Sequence, residues 1–302
     1  MATAQFGRVI TAMITPFTED GAVDYESAVA LAKHLVAHGS EGLLVGGTTG
    51  EGATMTAEEK LKLYTLIVDA VGKRGEGKKV PVMGNIGTIS TADTIAFGNK
   101  AKETGIDCAL VIVPFYVKPN QEGMYQHFTA VAKGVDLPLV LYNVPGRTGV
   151  SIQPETIKRI VDECPNVVGI KDATGSWDQV TKEKALLPED FMIYSGDDAF
   201  TLPVLLAGGV GIISVSAHVI GDDMLAMVDA FEKGDLEKAR ALHLKMYEIN
   251  KGMFFTASPT PVKTATNLVG QPGGHFRLPM VEPTEAEKAK VRQMLENYGG
   301  LL

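Results

Sequence analysis

Hydrophobic residues in this chain fall in short unbroken runs, separated by stretches with helical period. Eight runs read as strands: Val9–Ile14, Gly42–Val45, Val80–Met83, Cys108–Val113, Leu139–Tyr142, Val167–Ile170, Phe191–Tyr194 and Gly211–Val215. They do not alternate apolar with polar, so they are expected to be buried on both faces, as in a parallel sheet. Between them the spacing predicts amphipathic helices, among them Tyr25–His38, Ala57–Val71, Thr91–Glu103 and Gln121–Ala132. Thr56 with Glu59 has the form of a capping box, and Ser90 and Thr91 are helix-start residues. Eight βα units in 302 residues predict an α/β fold, a (β/α)8 TIM barrel. A doubly wound open sheet is the alternative, but no GxGxxG follows the first strand and no P-loop occurs. Further helices are expected near Leu236–Asn250, Pro259–Asn267 and Thr284–Asn297. Residues 1–232 therefore read as a barrel, and 233–302 as a C-terminal helical region that covers one barrel face or makes an oligomer contact.

Composition narrows the classes. Acidic residues outnumber basic ones by 36 to 28, and no basic run offers a phosphate footprint, so nucleic acid is not expected as a partner. The two cysteines, Cys108 and Cys164, are too few for a disulfide framework and fit a reducing compartment. The start, MATAQFGRVI, lacks signal-peptide form, and no apolar segment is long enough to span a bilayer. A cytoplasmic protein is expected.

In a barrel, chemistry sits at the C-terminal ends of the strands. Lys171 closes the apolar run from Asn166 to Ile170, where burial would lower its pKa and favour the free amine that attacks a carbonyl. The plain alternative is a strand-end lysine that reaches solvent. After the second strand, Gly46-Gly47-Thr48-Thr49-Gly50-Glu51 presents backbone N–H groups and two hydroxyls, which suits a carboxylate or is simply a tight turn. Tyr142 is a proton carrier if its phenol meets Thr48 and a second tyrosine; otherwise it is a half-buried tyrosine. Arg147 lies in a Gly-flanked loop, able to grip a carboxylate or to remain a surface arginine.

These residues carry a resemblance. The sequence resembles the dihydrodipicolinate synthases, of the pyruvate-dependent class I aldolase/lyase superfamily, from Ala12-Met13-Ile14-Thr15-Pro16-Phe17 to Gly299-Gly300-Leu301-Leu302. Between these lie Gly-Thr-Thr-Gly-Glu at 47–51, Tyr-Asn-Val-Pro-Gly-Arg-Thr-Gly at 142–149, Gly-Ile-Lys-Asp-Ala-Thr-Gly at 169–175, Ser-Gly-Asp-Asp at 195–198 and Pro261-Val262-Lys263. The resemblance implies that Lys171 forms a Schiff base with pyruvate. It implies that Tyr142, Thr48 and Tyr116 relay protons, with Tyr116 reaching in from a neighbouring subunit. It further implies that Thr49 binds the pyruvate carboxylate, that the Ile213 backbone faces pyruvate, that Arg147 holds the carboxylate of L-aspartate-4-semialdehyde, and that Gly196 and Asp197 are substrate-binding. No cofactor and no metal are implied. The expected assembly is a homotetramer of tight dimers, and the expected reaction is the committed step of lysine and diaminopimelate synthesis. N-acetylneuraminate lyases and keto-deoxy sugar acid aldolases are similar too, but Thr49 and Arg147 favour the synthase. A barrel that has lost catalysis is the remaining alternative.

Two positions depart from the family pattern. Phe115-Tyr116 stands where many members carry two tyrosines, and Ala57 and Lys60 stand where lysine-inhibited bacterial members often carry histidines. Weak or absent inhibition by lysine is expected. Weaker signals are His34 and His38, which have zinc-like spacing without a third ligand, and Asp197-Asp198, expected to cap a helix near Ala199 and line the pocket rim.

Overall fold

Eight parallel strands pair in chain order, and the last returns to the first, closing a barrel. They are β1 (Val9–Ala12), β2 (Gly42–Val45), β3 (Val82–Asn85), β4 (Cys108–Ile112), β5 (Leu139–Asn143), β6 (Val167–Asp172), β7 (Met192–Ser195) and β8 (Gly211–Ser214). The computed structural model describes residues 3–75, 77 and 79–302; Met1 and Ala2, which open the N-terminal stretch read above, lie outside them. The helices are α1 (Tyr25–Ala37), α2 (Ala57–Val71), α3 (Thr91–Glu103), α4 (Gln121–Gly134), α5 (Pro145–Thr148), α6 (Pro154–Glu163), α7 (Trp177–Leu186), α8 (Thr201–Leu206) and α9 (Ala217–Glu232). After them come α10 (Leu236–Gly252), α11 (Thr260–Leu268) and α12 (Glu285–Tyr298). No described helix is long and apolar enough to cross a membrane.

All strands but β2 differ from their apolar runs, by one or two residues at one end or both, and two of the differences matter. The third strand begins two residues later than its apolar run, because Pro81 has no N–H for the ladder; its carbonyl instead accepts from the Leu43 amide at 3.0 Å. The sixth runs on to Asp172, so Lys171 lies within the strand and not at its exit.

Side chains alternate between two apolar layers. Ile10, Leu44, Met83, Leu110, Val140, Tyr142, Tyr194 and Ile213 fill the barrel interior. Their strand neighbours, such as Val9, Leu43, Val82, Val111, Leu141, Ile193 and Ile212, pack outward under the helices. A bulge at the start of β6 sets the phase that matters. Leu139 pairs with Val167 but Val140 pairs with Gly169, so Tyr142 faces Lys171 where an unbroken register would give it Ile170.

Candidate active site

The inward phase of β5 and β6 puts Tyr142 and Lys171 side by side, and the Lys171 amine lies 4.6 Å from the centre of the Tyr142 ring. Both line a cavity of about 380 Å³ at the C-terminal end of the barrel, together with Thr48, Thr49, Asn85, Thr88, Phe115 and Lys60. Lys171 is only 4 % exposed and has no ion-pair partner among the described residues. Burial pulls its pKa from the ordinary 10.5 to about 8; the Asp198 carboxylate opposes this and the Arg147 charge adds to it. The Tyr142 phenol is pushed up, chiefly by burial, against the Arg147 charge and a hydrogen bond with the Thr48 side chain. The structure thus joins Thr48, Tyr142 and Lys171 in one hydroxyl-and-amine cluster, with Thr49 in the same wall.

The turn that carries the threonines is held from below. Gly46 takes φ +67, which a side chain would resist, and a Cβ at Gly52 would lie 1.9 Å from the Gly46 carbonyl oxygen. Thr15 donates to the Gly50 carbonyl at 2.7 Å, and Asn85 donates to that of Gly46 at 3.1 Å. Tyr64, buried on α2, donates to the Asn85 carbonyl at 2.7 Å and so fixes the strand below.

Other expected residues sit elsewhere. Arg147 is exposed on the short α5 and shares a shallow neighbouring pocket with Tyr116, Phe115 and Lys118. Tyr116 is 86 % exposed, with φ +66, and within this one chain it does not line the Lys171 cavity. Ile213, Gly196 and Asp197 are also outside that wall; Ile213 is packed in the barrel interior. Asp197 caps the turn through the Ala199 amide at 2.9 Å. Its neighbour Asp198 does neither of the jobs expected of it. It is buried, and its carboxylate accepts from the Ser214 hydroxyl and from the Val215 and Ser216 amides at 3.0 and 3.3 Å. It therefore ties the end of β8 and places a negative charge near Lys171.

Two residues had been given no role from the sequence. Asp172 and Glu183 are hydrogen-bonded to each other in the core, and both carboxyls are pushed up, first by burial. Two such close groups cannot both ionise. Gln179 donates to Glu183 at 2.8 Å, and Thr174 donates to Asp172 through its amide at 2.9 Å and its hydroxyl at 2.6 Å. The residue next to Lys171 is thereby fixed. Asp172 stood inside a recognised motif, but nothing in the spacing signalled Glu183.

No group of three or more His, Cys, Asp or Glu side chains among the described residues could hold a metal ion. His34 and His38 stack at 4.4 Å, and His38 contacts Asp222. A larger cavity, about 1010 Å³, opens at the N-terminal end of the barrel, but Arg8 in its wall is paired with Glu41 and with Glu232.

The profile of the dihydrodipicolinate synthetase family matches residues 5–298. A 4-hydroxy-tetrahydrodipicolinate synthase of Heliobacterium modesticaldum is 48 % identical over 295 residues, covering 98 % of this chain and 96 % of its own. A dihydrodipicolinate synthase of Cyanidioschyzon merolae, solved with lysine bound, superposes with a TM-score of 0.94 at 41 % identity, over 98 % of this chain and 99 % of its own. The chloride-inhibited enzyme of Acinetobacter baumannii, solved with pyruvate, gives 0.92 at 35 % identity over 98 % and 99 %. The chain belongs to the dihydrodipicolinate synthetase family.

Proposed function

We propose that this chain is a 4-hydroxy-tetrahydrodipicolinate synthase, condensing pyruvate with L-aspartate-4-semialdehyde through a Schiff base on Lys171. The observation that carries the reading is the Lys171 amine, buried, unpaired among the described residues and lowered to about 8, beside the Thr48–Tyr142 hydrogen bond. About one such amine in ten is uncharged at pH 7, against fewer than one in a thousand at the ordinary value.

The amine adds to the pyruvate carbonyl, and Tyr142 and Thr48 move the protons that let water leave. Thr49 and the turn amides hold the pyruvate carboxylate. Loss of a C3 proton gives the enamine, whose C3 attacks the aldehyde of the second substrate. The substrate's own amine then attacks C2, closes the ring and expels Lys171. Arg147 holds the second substrate's carboxylate at the rim, and the Ile213 backbone, Gly196 and Asp197 complete the binding surface. Residues 1–232 form the catalytic barrel in this reading, and 233–302 the helical region.

Tyr116 completes the relay from a second copy. Phe115, Tyr116 and Val117 are consecutive and exposed, an apolar surface suited to a partner. We place the enzyme in the cytoplasm as a homotetramer of tight dimers. The test is borohydride trapping with pyruvate, followed by peptide mapping. A single reduced pyruvyl adduct on Lys171 is expected; a folded protein that traps none removes the Schiff base and the reading with it.

A further inference from the structure

The turn carrying Thr48 and Thr49 ends at Glu51, one of three non-glycine residues with positive φ among those described, at +52. A left-handed side-chain residue costs about 1 kcal/mol and persists where its surroundings hold it. Here the hold comes from the far end of the chain. The buried Glu51 carboxylate accepts from the Lys263 amine at 2.6 Å and from the Arg277 amide at 3.3 Å. Lys263, on α11, is fully buried between the rings of Phe17 and Phe276, at 4.5 and 5.0 Å, and also donates to the His275 carbonyl. The Arg277 guanidinium donates to the Thr54 carbonyl at 3.0 Å and to both Glu59 oxygens at 2.8 and 2.9 Å. Glu51, Thr54 and Glu59 are thus gripped by one C-terminal segment, which is itself docked on Phe17 after β1.

Neither Lys263 nor Arg277 lines the Lys171 cavity. A buried ion pair adds little stability over apolar residues of equal volume; fixing a single geometry is a better-founded use for it. We propose that Lys263 and Arg277 are positioning residues: Lys263 locks Glu51, the Arg277 guanidinium locks Thr54 and Glu59 just beyond it, and together they hold the Gly46–Glu51 turn in the shape that receives the pyruvate carboxylate. The inference rests on the reading of that turn as the pyruvate site. Release of Glu51 would let the turn shift, and a displacement of about 1 Å can cost 10²-fold.

The test compares Arg277→Gln, Lys263→Met, the Lys263→Met/Glu51→Gln double variant and Thr49→Val in the full chain. Steady-state kinetics and the pyruvate dependence of borohydride trapping are measured at a temperature where each variant is folded. KM for pyruvate should rise at least about tenfold in Lys263→Met and about three- to tenfold in Arg277→Gln, with kcat within about threefold of the parent. The double variant leaves no unpaired charge, so it should recover melting temperature yet keep the raised KM. That split separates positioning from a purely structural role. If Lys263→Met does not fold, Arg277→Gln and the double variant carry the test. A normal pyruvate KM in these two, with a raised KM in Thr49→Val, overturns the proposal alone. A normal KM in Thr49→Val overturns the turn as the pyruvate site, and the proposal with it.

Discussion

Lys171 and Lys263 are both buried, one lining the active-site cavity and the other buttressing the turn beside it, yet their charges are answered in opposite ways. Lys263 has a carboxylate at 2.6 Å, a carbonyl and two aromatic rings. Lys171 has one ring and a cavity. Burial lowers both amines, but Glu51 opposes it strongly at Lys263, whereas at Lys171 the opposing charge is the more distant Asp198. A buried cation given a partner becomes a fixed strut. The one denied a partner is the proposed nucleophile, and it stays in the fold at a cost in stability.

The largest expected effect is on Lys171→Met. Turnover should fall by at least about 10⁴-fold, because the variant has no amine at position 171 beside the Tyr142 ring to carry the Schiff base. Stability should move the other way. The shift from 10.5 to about 8 means that the unfolded chain holds more protons between those values. The penalty is therefore fully present below pH 8 and fades as pH rises towards 10.5. It amounts to about 3 kcal/mol. Urea melts of both proteins should show the variant more stable at pH 7 and the two converging by pH 10.

Lys263→Met should do the reverse, losing about 3–5 kcal/mol because the buried Glu51 is left without its cation. Adding Glu51→Gln should restore most of it, and the double-mutant cycle reads the coupling. If both lysine variants shift the urea midpoint in one direction, the contrast between paired and unpaired cations is wrong.

A smaller effect distinguishes the amines by pH. With pyruvate alone, the trapping rate should rise about tenfold per pH unit below 8 and level off above it, as free Lys171 amine accumulates. A rate that is flat from pH 6 to 9 would show an amine already neutral, or a different limiting step.

Much of this was legible in the chain, and the illegible part has a physical pattern. Eight buried runs, the Thr56–Glu59 capping box and the ends of α2 and α3 followed from local spacing. Lys171 and Tyr142 closed apolar runs, Thr48 and Thr49 followed one, and the barrel topology brought the four together, with Lys171 inside β6 and not at its exit. The bulge at Val168 could not be seen, because one inserted residue leaves the apolar run intact while shifting the register. Nor could the Glu51–Lys263 pair, whose members are 212 residues apart; Pro261-Val262-Lys263 was recognisable as a motif but not as a strut. Asp197 and Asp198 looked equivalent, and only tertiary contacts with β8 gave Asp198 its own role. Tyr116 remains outside the cavity of a single chain, since its proposed place lies in another copy.

The smallest effect tests whether exposed charge tunes the unpaired amine. Arg147 adds to the lowering of Lys171 from the rim, where water and salt screen it. Arg147→Gln should therefore move the trapping midpoint up, and at pH 7 slow trapping by about two- to fivefold. Pyruvate is the sole substrate in this assay, so any role of Arg147 towards the second substrate does not enter. Added salt should shift the parent midpoint in the same direction and leave the variant nearly still. A variant midpoint equal to that of the parent at low salt would assign the whole depression to burial, and would leave Arg147 to binding alone.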